Sequence, residues 1–133
     1  MKVINELLIY PQEIPEGKVY LFTANSTIKN NGELVMGAGA AKKVAQTYPD
    51  VPRLFGMFVE DKPKVRVHLL AMGKGILGSF QTKTHWSGKS TLELVKESCK
   101  ELYAYAKHSS DWEFHMNYPA IGLGGLTEEE VEP

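Results

Sequence analysis

The chain has 133 residues, enough for one domain with a hydrophobic core, and its 43% hydrophobic and 23% charged residues are ordinary for a globular protein. Its net charge of −1 gives no overall electrostatic reason to bind nucleic acid or an anionic membrane. A single cysteine, Cys99, excludes an intramolecular disulfide, and the sequence shows no secretory signal pattern and no apolar run long enough to cross a bilayer. We therefore expect one cytoplasmic domain over residues 1–133.

The first half of the chain predicts two strands and a helix. Apolar runs predict strands over residues 2–9 and 18–24, and the second run is apolar nearly throughout, as expected for a strand covered on both faces. A helix is predicted over residues 37–48, and it ends before Pro49 because proline disfavours helical geometry in the residue that precedes it. We interpret residues 51–64 as irregular and exposed.

The second half predicts three more strands, over residues 65–72, 79–83 and 113–118, with a turn over residues 73–78. Strands that alternate with helices indicate an α/β protein. We therefore expect a three-layer α/β/α sandwich with a mixed central sheet. Ligands of such proteins bind outside the C-terminal ends of the strands.

Two capping-box patterns mark helix starts. The sequence Ser90-Thr91-Leu92-Glu93 predicts a helix with Ser90 as its N-cap. Its apolar stripe has spacings of three and four residues: Leu92, Val95, Cys99, Leu102 and Ala106. The second pattern, Thr127-Glu128-Glu129-Glu130, opens a last helix, but the chain ends at Pro133 after barely one turn. We therefore expect a chain that is shortened at its C-terminus.

Two glycine-rich segments each follow a predicted strand and precede a predicted helix: Met36-Gly37-Ala38-Gly39-Ala40-Ala41 and Gly122-Leu123-Gly124-Gly125-Leu126. Glycine lets the backbone approach a ligand closely, and a helix N-terminus adds unpaired N–H groups and a partial positive charge. The two segments together predict a site for a phosphorylated or nucleotide-like ligand. The alternative is that both are tight turns packed against their strands.

A third motif, Phe80-Gln81-Thr82-Lys83-Thr84-His85-Trp86, lies between the two glycine-rich segments. Asn25 followed by the segment 36–41, and the segment 119–126, resemble the first and second ligand loops of the macro domain family, whose members bind ADP-ribose. The third motif resembles a Phe-x-x-Lys-x-His-Trp segment of one branch of that family. That branch includes hydrolases that remove ADP-ribose from glutamate side chains and antitoxins that remove it from DNA bases.

The resemblance implies a ligand cleft across the sheet. Asn25 would contact the distal ribose, and Glu6 would read the adenine in place of the family's usual aspartate, although Glu6 could equally be a solvated surface residue. The remaining ligand-binding positions lie in the two glycine loops: Met36, Gly37, Ala38, Gly39 and Ala40 in the first, and Gly122, Leu123, Gly124 and Gly125 in the second.

The resemblance also implies two catalytic candidates. Lys83 would lie near the anomeric carbon of the distal ribose, where a neutral amine can form a covalent intermediate. His85 could transfer a proton near neutral pH. The structural alternatives are that Lys83 is solvated or only neutralises phosphate, and that His85 and Trp86 fix the loop that carries the lysine. The glutamate-directed enzymes also use an aspartate in the second loop, and residues 122–125 contain no carboxylate.

These observations lead to a principal hypothesis and three alternatives. The chain is expected to bind ADP-ribose, or ADP-ribosylated protein or DNA, and to hydrolyse the ADP-ribosyl linkage. It could instead be a binding module without chemistry, a phosphatase acting on ADP-ribose 1''-phosphate, or a structural protein that has lost the ligand. His68, His108 and His115 show no metal-ligand spacing, so we expect no metal and no cofactor. A monomer with no membrane partner is expected.

Overall fold

A computed structural model describes residues 2–4, 10–85, 87–88, 91–107 and 111–116. These residues contain five strands and three helices. They are β1 (Lys2–Ile4), β2 (Lys18–Ala24), α1 (Gly39–Thr47), α2 (Val51–Asp61), β3 (Val67–Met72), β4 (Gly75–Gln81), α3 (Leu92–Lys107) and β5 (Glu113–His115). None of the helices in this part of the chain is long and apolar enough to span a membrane.

The strands form one mixed sheet in the order β1-β5-β2-β4-β3. All neighbours are parallel except β3, which pairs antiparallel with β4. In the central pair, Val19 lies opposite Ile76 and Ala24 lies opposite Gln81. The mixed sheet that the sequence predicts is therefore confirmed, and the C-terminal ends of β2 and β4 meet at the same edge.

The helices cover both faces of this sheet. The chain passes from β2 through α1, α2 and β3 to β4, and it then returns through α3 to β5 on the other side of β2. Crossovers between parallel strands are right-handed, so two crossovers in opposite directions place their helices on opposite faces. The result is the predicted three-layer α/β/α sandwich, with α1 and α2 in one layer and α3 in the other.

Aromatic rings join the sheet to the α2 layer. Phe22 of β2 packs edge-on against Phe55 of α2, with ring centroids 5.3 Å apart, and Phe55 packs in the same way against Phe58. Phe58 in turn stacks on His68 of β3 at 6.0 Å. Burial lowers the pKa of His68, although the nearby Glu101 opposes this effect, so His68 belongs to the packed interior in its neutral form.

The helix α2 corrects the prediction that residues 51–64 are irregular and exposed. Val51, Phe55 and Val59 recur every fourth residue, and all three are buried. Pro52 occupies the first turn, where a missing backbone N–H does not interrupt the helix. Gly56 lies where α2 touches the loop before it, because a Cβ at this position would lie 2.0 Å from the carbonyl oxygen of Gly32.

The strand β4 corrects a second prediction. Residues 73–78 are not one turn, because the turn is confined to Gly73 and Lys74 and the strand already begins at Gly75. Gly75 and Gly78 allow neighbouring groups to pack where side chains would lie: a Cβ on Gly78 would lie 2.5 Å from Leu21 Cδ2. These glycines therefore permit close packing within the sheet.

The start of α3 is a third correction. The helix begins at Leu92, and the hydroxyl of Thr91 accepts a hydrogen bond from the backbone N–H of Leu94 at 3.2 Å. Thr91 is therefore the N-cap, one residue later than the predicted Ser90, which lies outside the described residues. The predicted stripe is otherwise confirmed, since Val95, Leu102 and Ala106 are buried and Cys99 is half-buried.

Replacing Gly56 with alanine is expected to destabilise the fold. Alanine would gain about 1 kcal/mol of helix propensity, but the contact with the Gly32 carbonyl forces backbone movement, and such overpacking costs about 1–3 kcal/mol. We expect Gly56→Ala to lower the free energy of unfolding in urea. Glu60→Ala, at an exposed position of the same helix, is the control and should change it by less than about 0.5 kcal/mol. Equal stability of Gly56→Ala and the wild type would contradict the packing described here.

Alkaline pH is expected to weaken the fold partly through Tyr48. Its hydroxyl donates a hydrogen bond to the carbonyl of Pro11, and burial raises its pKa to about 12, with a smaller contribution from Tyr20. The neutral form is favoured in the folded state, so this contribution is complete below pH 10 and is lost as the pH rises towards 12. We expect the free energy of unfolding to fall less between pH 8 and pH 11 in Tyr48→Phe than in the wild type. Identical pH slopes would show that Tyr48 does not contribute.

Candidate functional site

The ends of β2 and β4 remain joined beyond the last residues of the strands. The backbone N–H of Thr82 donates to the carbonyl of Ala24, and the N–H of Ser26 donates to the carbonyl of Thr84, both at 3.0 Å. The hydroxyl groups of Ser26 and Thr27 also donate to the Thr84 carbonyl, each at 3.2 Å. The segment that contains Lys83 is therefore fixed beside the segment that follows Asn25, as predicted for two parallel strands ending at one edge.

Every carbonyl around Lys83 accepts a hydrogen bond. The Thr82 carbonyl accepts from the N–H of Thr91 at 3.0 Å, and the Lys83 carbonyl accepts from the side-chain amide of Gln81 at 3.2 Å. The Thr84 carbonyl accepts from the three donors described above. Lys83 itself is half-buried between buried Thr82 and exposed Thr84. Its backbone is thus held in one conformation before any ligand arrives, which is the usual property of a preorganised site.

Gln81 links this edge to the helix α3. Its side chain is 4% exposed, its Nε2 donates to Ser26 Oγ at 3.1 Å, and its Oε1 accepts from Arg66 at 3.2 Å. Arg66 also pairs with Glu97 at 3.0 Å. The carboxylate of Glu101 accepts the backbone N–H groups of Arg66 and of the residue after it, at 2.7 and 3.0 Å. Sequence reasoning named Gln81 only as part of a motif and did not identify this network.

Asn25 is 9% exposed, and its side chain connects two stretches of backbone, residues 25–27 and Val35. Its Oδ1 accepts from the N–H of Thr27 at 2.9 Å, and its Nδ2 donates to the carbonyl of Val35 at 3.0 Å. Val35 in turn donates its N–H to the Thr27 carbonyl at 3.0 Å. Asn25 therefore holds the end of β2 against the residues that immediately precede the first glycine loop.

The first glycine loop lies at the start of α1. Met36 is buried, whereas Gly37, Ala38 and Gly39 are exposed. Ala38 is extended and Gly39 has a φ of +59°, a conformation that glycine adopts without strain. A Cβ at Gly37 or at Gly39 would meet no atom of the described residues within 4 Å, so these residues leave the space above the loop open. The helix consequently starts two residues later than predicted, and the loop is accessible.

The N-terminus of α1 has the electrostatic properties that an anion requires. Among the described residues, no side chain caps this helix and no acidic residue lies in its first turn. The first turn of any helix presents backbone N–H groups without intrahelical partners and a partial positive charge. Lys42 and Lys43 follow directly and are exposed. A phosphate is therefore the ligand that this end of α1 suits best.

His85 contacts its own turn. Its Nδ1 accepts the backbone N–H of Ser87 at 3.2 Å and lies 2.7 Å from Ser87 Oγ, and its carbonyl accepts the N–H of Gly88 at 3.0 Å. Accepting at Nδ1 assigns the proton of the neutral ring to Nε2. His85 is exposed and lies two residues beyond Lys83. Its ring therefore lies at the surface of the same edge.

Several predicted site residues lie outside the described part of the chain. They are Glu6 near the first strand, Trp86 after the histidine, and Gly122, Leu123, Gly124 and Gly125 in the second glycine loop. The described residues bring together Asn25, the first glycine loop and the segment from Lys83 to His85. Among these same described residues, no group of three His, Cys, Asp or Glu side chains is placed to hold a metal ion.

Other titratable groups of the described chain belong to the packing. Burial raises the pKa of the Cys99 thiol, which disfavours the reactive thiolate. His115 of β5 is buried and stacks on Tyr20, with ring centroids 4.5 Å apart. Desolvation raises the pKa of Tyr10, whose hydroxyl donates to the Leu21 carbonyl at 2.9 Å. His115 and Tyr10 thus contact Tyr20 and Leu21, in the middle of β2.

This fold is found in solved macrodomains. The macrodomain of Thermus aquaticus DarG superposes with a TM-score of 0.73 at 24% identity, over 98% of this chain and 84% of that one. The macrodomain of Mycobacterium tuberculosis DarG gives 0.74 at 20% identity, with the same two coverages. The sequence matches no family model and no curated protein significantly. The chain has the macrodomain fold, and the structural part of the predicted resemblance is confirmed.

A third solved structure of similar fold contains ADP-ribose. Thermosipho africanus DarTG in complex with ADP-ribose superposes with a TM-score of 0.67 at 22% identity, over 81% of this chain. Our chain spans about a third of that protein, 31% of its length. At these identities the likeness establishes the fold alone.

Gly39 is expected to be the glycine of the first loop that cannot be replaced without strain. Gly37 and Gly39 both face open space, but only Gly39 has a positive φ. A left-handed conformation costs an alanine about 1–2 kcal/mol. We expect Gly39→Ala to lower the free energy of unfolding in urea by about this amount. Gly37→Ala is the matched control and should leave it within about 0.5 kcal/mol of the wild type. Equal effects of the two substitutions would contradict the described loop conformation.

Proposed function

We propose that the protein binds ADP-ribose, free or attached to a macromolecule, at the edge formed by Asn25, the first glycine loop and Lys83. The observation that carries this proposal is the accessible, uncapped start of α1 beside the preorganised Lys83 segment. The macrodomain fold supports it, as does the ADP-ribose complex of a protein with a similar fold.

The diphosphate of ADP-ribose fits the start of α1 on electrostatic grounds. Two phosphates carry negative charge, and the N–H groups of Gly39 and of the residues after it supply donors together with the positive end of the helix. The exposed Lys42 and Lys43 add positive charge nearby. The distal ribose would then extend towards Asn25 and Lys83, because both lie at the adjacent ends of β2 and β4.

We further propose that Lys83 converts binding into hydrolysis of the ADP-ribosyl linkage. In this mechanism the bond between the ring oxygen and the anomeric carbon opens, the Lys83 amine forms a C–N bond to that carbon, and the bond to the macromolecule breaks, which leaves an imine. Water then adds to the imine, which restores the amine and releases ADP-ribose as an aldehyde that closes again to the ring. The fixed backbone of residues 82–84 supports this role, since a nucleophile gains most from a preset position. His85 lies two residues away. Its Nε2 is proposed to transfer the proton that passes from the attacking amine to the leaving group.

A binding module without chemistry is the second candidate function. The observation that favours it is the absence of a carboxylate from Gly122-Leu123-Gly124-Gly125, where the glutamate-directed enzymes have an aspartate. In this case the same edge would recognise ADP-ribosylated partners and leave the linkage intact.

The two candidates are separated by the variant Lys83→Ala. If Lys83 is the nucleophile, the variant should bind ADP-ribose within a few-fold of the wild-type Kd and show no turnover of an ADP-ribosylated oligonucleotide or an ADP-ribosylated glutamate peptide. Lys74→Ala, an exposed lysine in the turn before β4, is the control and should keep full activity. Unchanged turnover in Lys83→Ala would refute the catalytic role. No turnover by the wild type on either substrate would favour the binding module.

A further inference from the structure

We infer that Gln81 is a positioning residue that sets the backbone of Lys83 and aligns it with the segment after β2. This inference rests on the proposed function for its effect on ligand binding, but its structural content can be tested without a ligand. Gln81 is the last residue of β4 and is almost fully buried at 4% exposure. A buried primary amide needs partners for both its oxygen and its nitrogen.

The orientation of the Gln81 amide follows from its neighbours. The Arg66 guanidinium has donors only, so the atom that faces it at 3.2 Å must be the amide oxygen Oε1. The nitrogen Nε2 consequently faces the opposite side. There it meets two acceptors, the Lys83 carbonyl at 3.2 Å and Ser26 Oγ at 3.1 Å. Arg66 therefore determines that Gln81 presents donors, and not an acceptor, to the Lys83 edge.

Arg66 is itself held from the α3 layer. Glu97 accepts from its Nε at 3.0 Å, and Glu101 accepts from its backbone N–H at 2.7 Å. The same helix contacts Gln81 directly, because Ser98 Oγ donates to the Gln81 carbonyl at 2.7 Å. A chain of hydrogen bonds thus runs from the acidic residues of α3 through Arg66 and Gln81 to Lys83. Gln81 and Ser98 are the buried members of this chain, and a buried polar group fixes a conformation when its hydrogen bonds are satisfied.

The network reaches both sides of the edge. By donating to Ser26 Oγ, Gln81 leaves the hydroxyl hydrogen of Ser26 for the Thr84 carbonyl, at 3.2 Å. By donating to the Lys83 carbonyl, it fixes the peptide between Lys83 and Thr84. One side-chain amide therefore controls the carbonyls of two successive residues and links them to the residue that follows Asn25.

The variant Gln81→Glu distinguishes positioning from a general contribution to stability. A carboxylate keeps the size of the side chain and pairs with Arg66 at least as well as the amide does, so the tie to α3 is retained. The ionised carboxylate has no donor, so the bond to the Lys83 carbonyl is lost and the carboxylate oxygen repels that carbonyl oxygen. The Ser26 hydroxyl can donate to the carboxylate only by giving up its bond to the Thr84 carbonyl. If Gln81 only ties β4 to Arg66 and α3, Gln81→Glu should behave like the wild type. If Gln81 positions Lys83, Gln81→Glu should be stable but should have a changed backbone around Lys83 and Ser26.

Amide hydrogen exchange provides the test that needs no ligand. The Ser26 N–H, which donates to the Thr84 carbonyl, should exchange about tenfold faster in Gln81→Glu than in the wild type, while the N–H groups of Leu21 and Phe22 within β2 keep their protection. Gln46→Glu, at an exposed position of α1, is the matched control and should leave all three unchanged. Unchanged Ser26 protection in Gln81→Glu overturns the inference.

Titration with ADP-ribose provides the functional readout on the same proteins. We expect Gln81→Glu to weaken the Kd for ADP-ribose about tenfold, with a melting temperature close to that of the wild type, and Gln46→Glu to change neither. Wild-type protein that fails to bind ADP-ribose refutes the proposed function, and hydrogen exchange still decides the role of Gln81. Wild-type affinity in Gln81→Glu refutes the functional role of Gln81 and leaves the proposed function standing.

Discussion

The parallel pairing of β2 with β4 is the constraint on which the rest of the edge depends. Because paired parallel strands end together, the register that sets Ala24 opposite Gln81 also brings Ser26 beside Thr84. Hydrogen bonds between the two segments continue for three residues past the strands, so the loops extend the sheet instead of diverging from it. A lysine on one loop and a glycine-rich helix start on the other are thereby presented on a common edge.

The two helical layers hold this edge from opposite sides. On one side, the carbonyl of Pro52 in α2 accepts a hydrogen bond from the backbone N–H of Leu34 at 2.9 Å. The next residue, Val35, accepts a hydrogen bond from the side chain of Asn25. Gly56 permits the contact between α2 and Leu34, since any side chain there would collide with the Gly32 carbonyl. On the other side, α3 acts through Arg66 and Gln81. Packing within both layers is therefore connected to the geometry around Lys83 by short chains of contacts.

The sequence predicted those parts of the fold in which one strong local signal dominates. The uniformly apolar β2 was predicted over its exact residues, and the stripe from Leu92 to Ala106 predicted α3. The helix α2 was missed when residues 51–64 were interpreted as irregular, although Val51, Phe55 and Val59 carry a helical period and proline is acceptable in a first turn. Strand β4 was predicted too short because its glycines signal turns, whereas here they permit close packing against Leu21 and Ile14.

The candidate site also contains some residues with a local sequence signal and others that only long-range contacts bring into place. The glycine loop could be proposed from its residue types and its place between a strand and a helix, and Lys83 from the resemblance to the macro domain family. The role of Gln81 depends on Arg66 and Ser26, which lie 15 and 55 residues away in the chain and meet only through strand pairing. No local pattern contains that information. The network depends on the order and register of the strands, which local sequence patterns do not determine.

The most direct test of the account is the location of ADP-ribose on the folded protein. We would record amide chemical-shift changes on titrating ADP-ribose into the ¹⁵N-labelled chain. The account predicts the largest changes at Asn25, at Gly37 to Ala40 and at Lys83, with little change at Gly17 and Gly73 beyond the opposite ends of the strands. Changes confined to the opposite end of the sheet, or spread evenly over the surface, would contradict it.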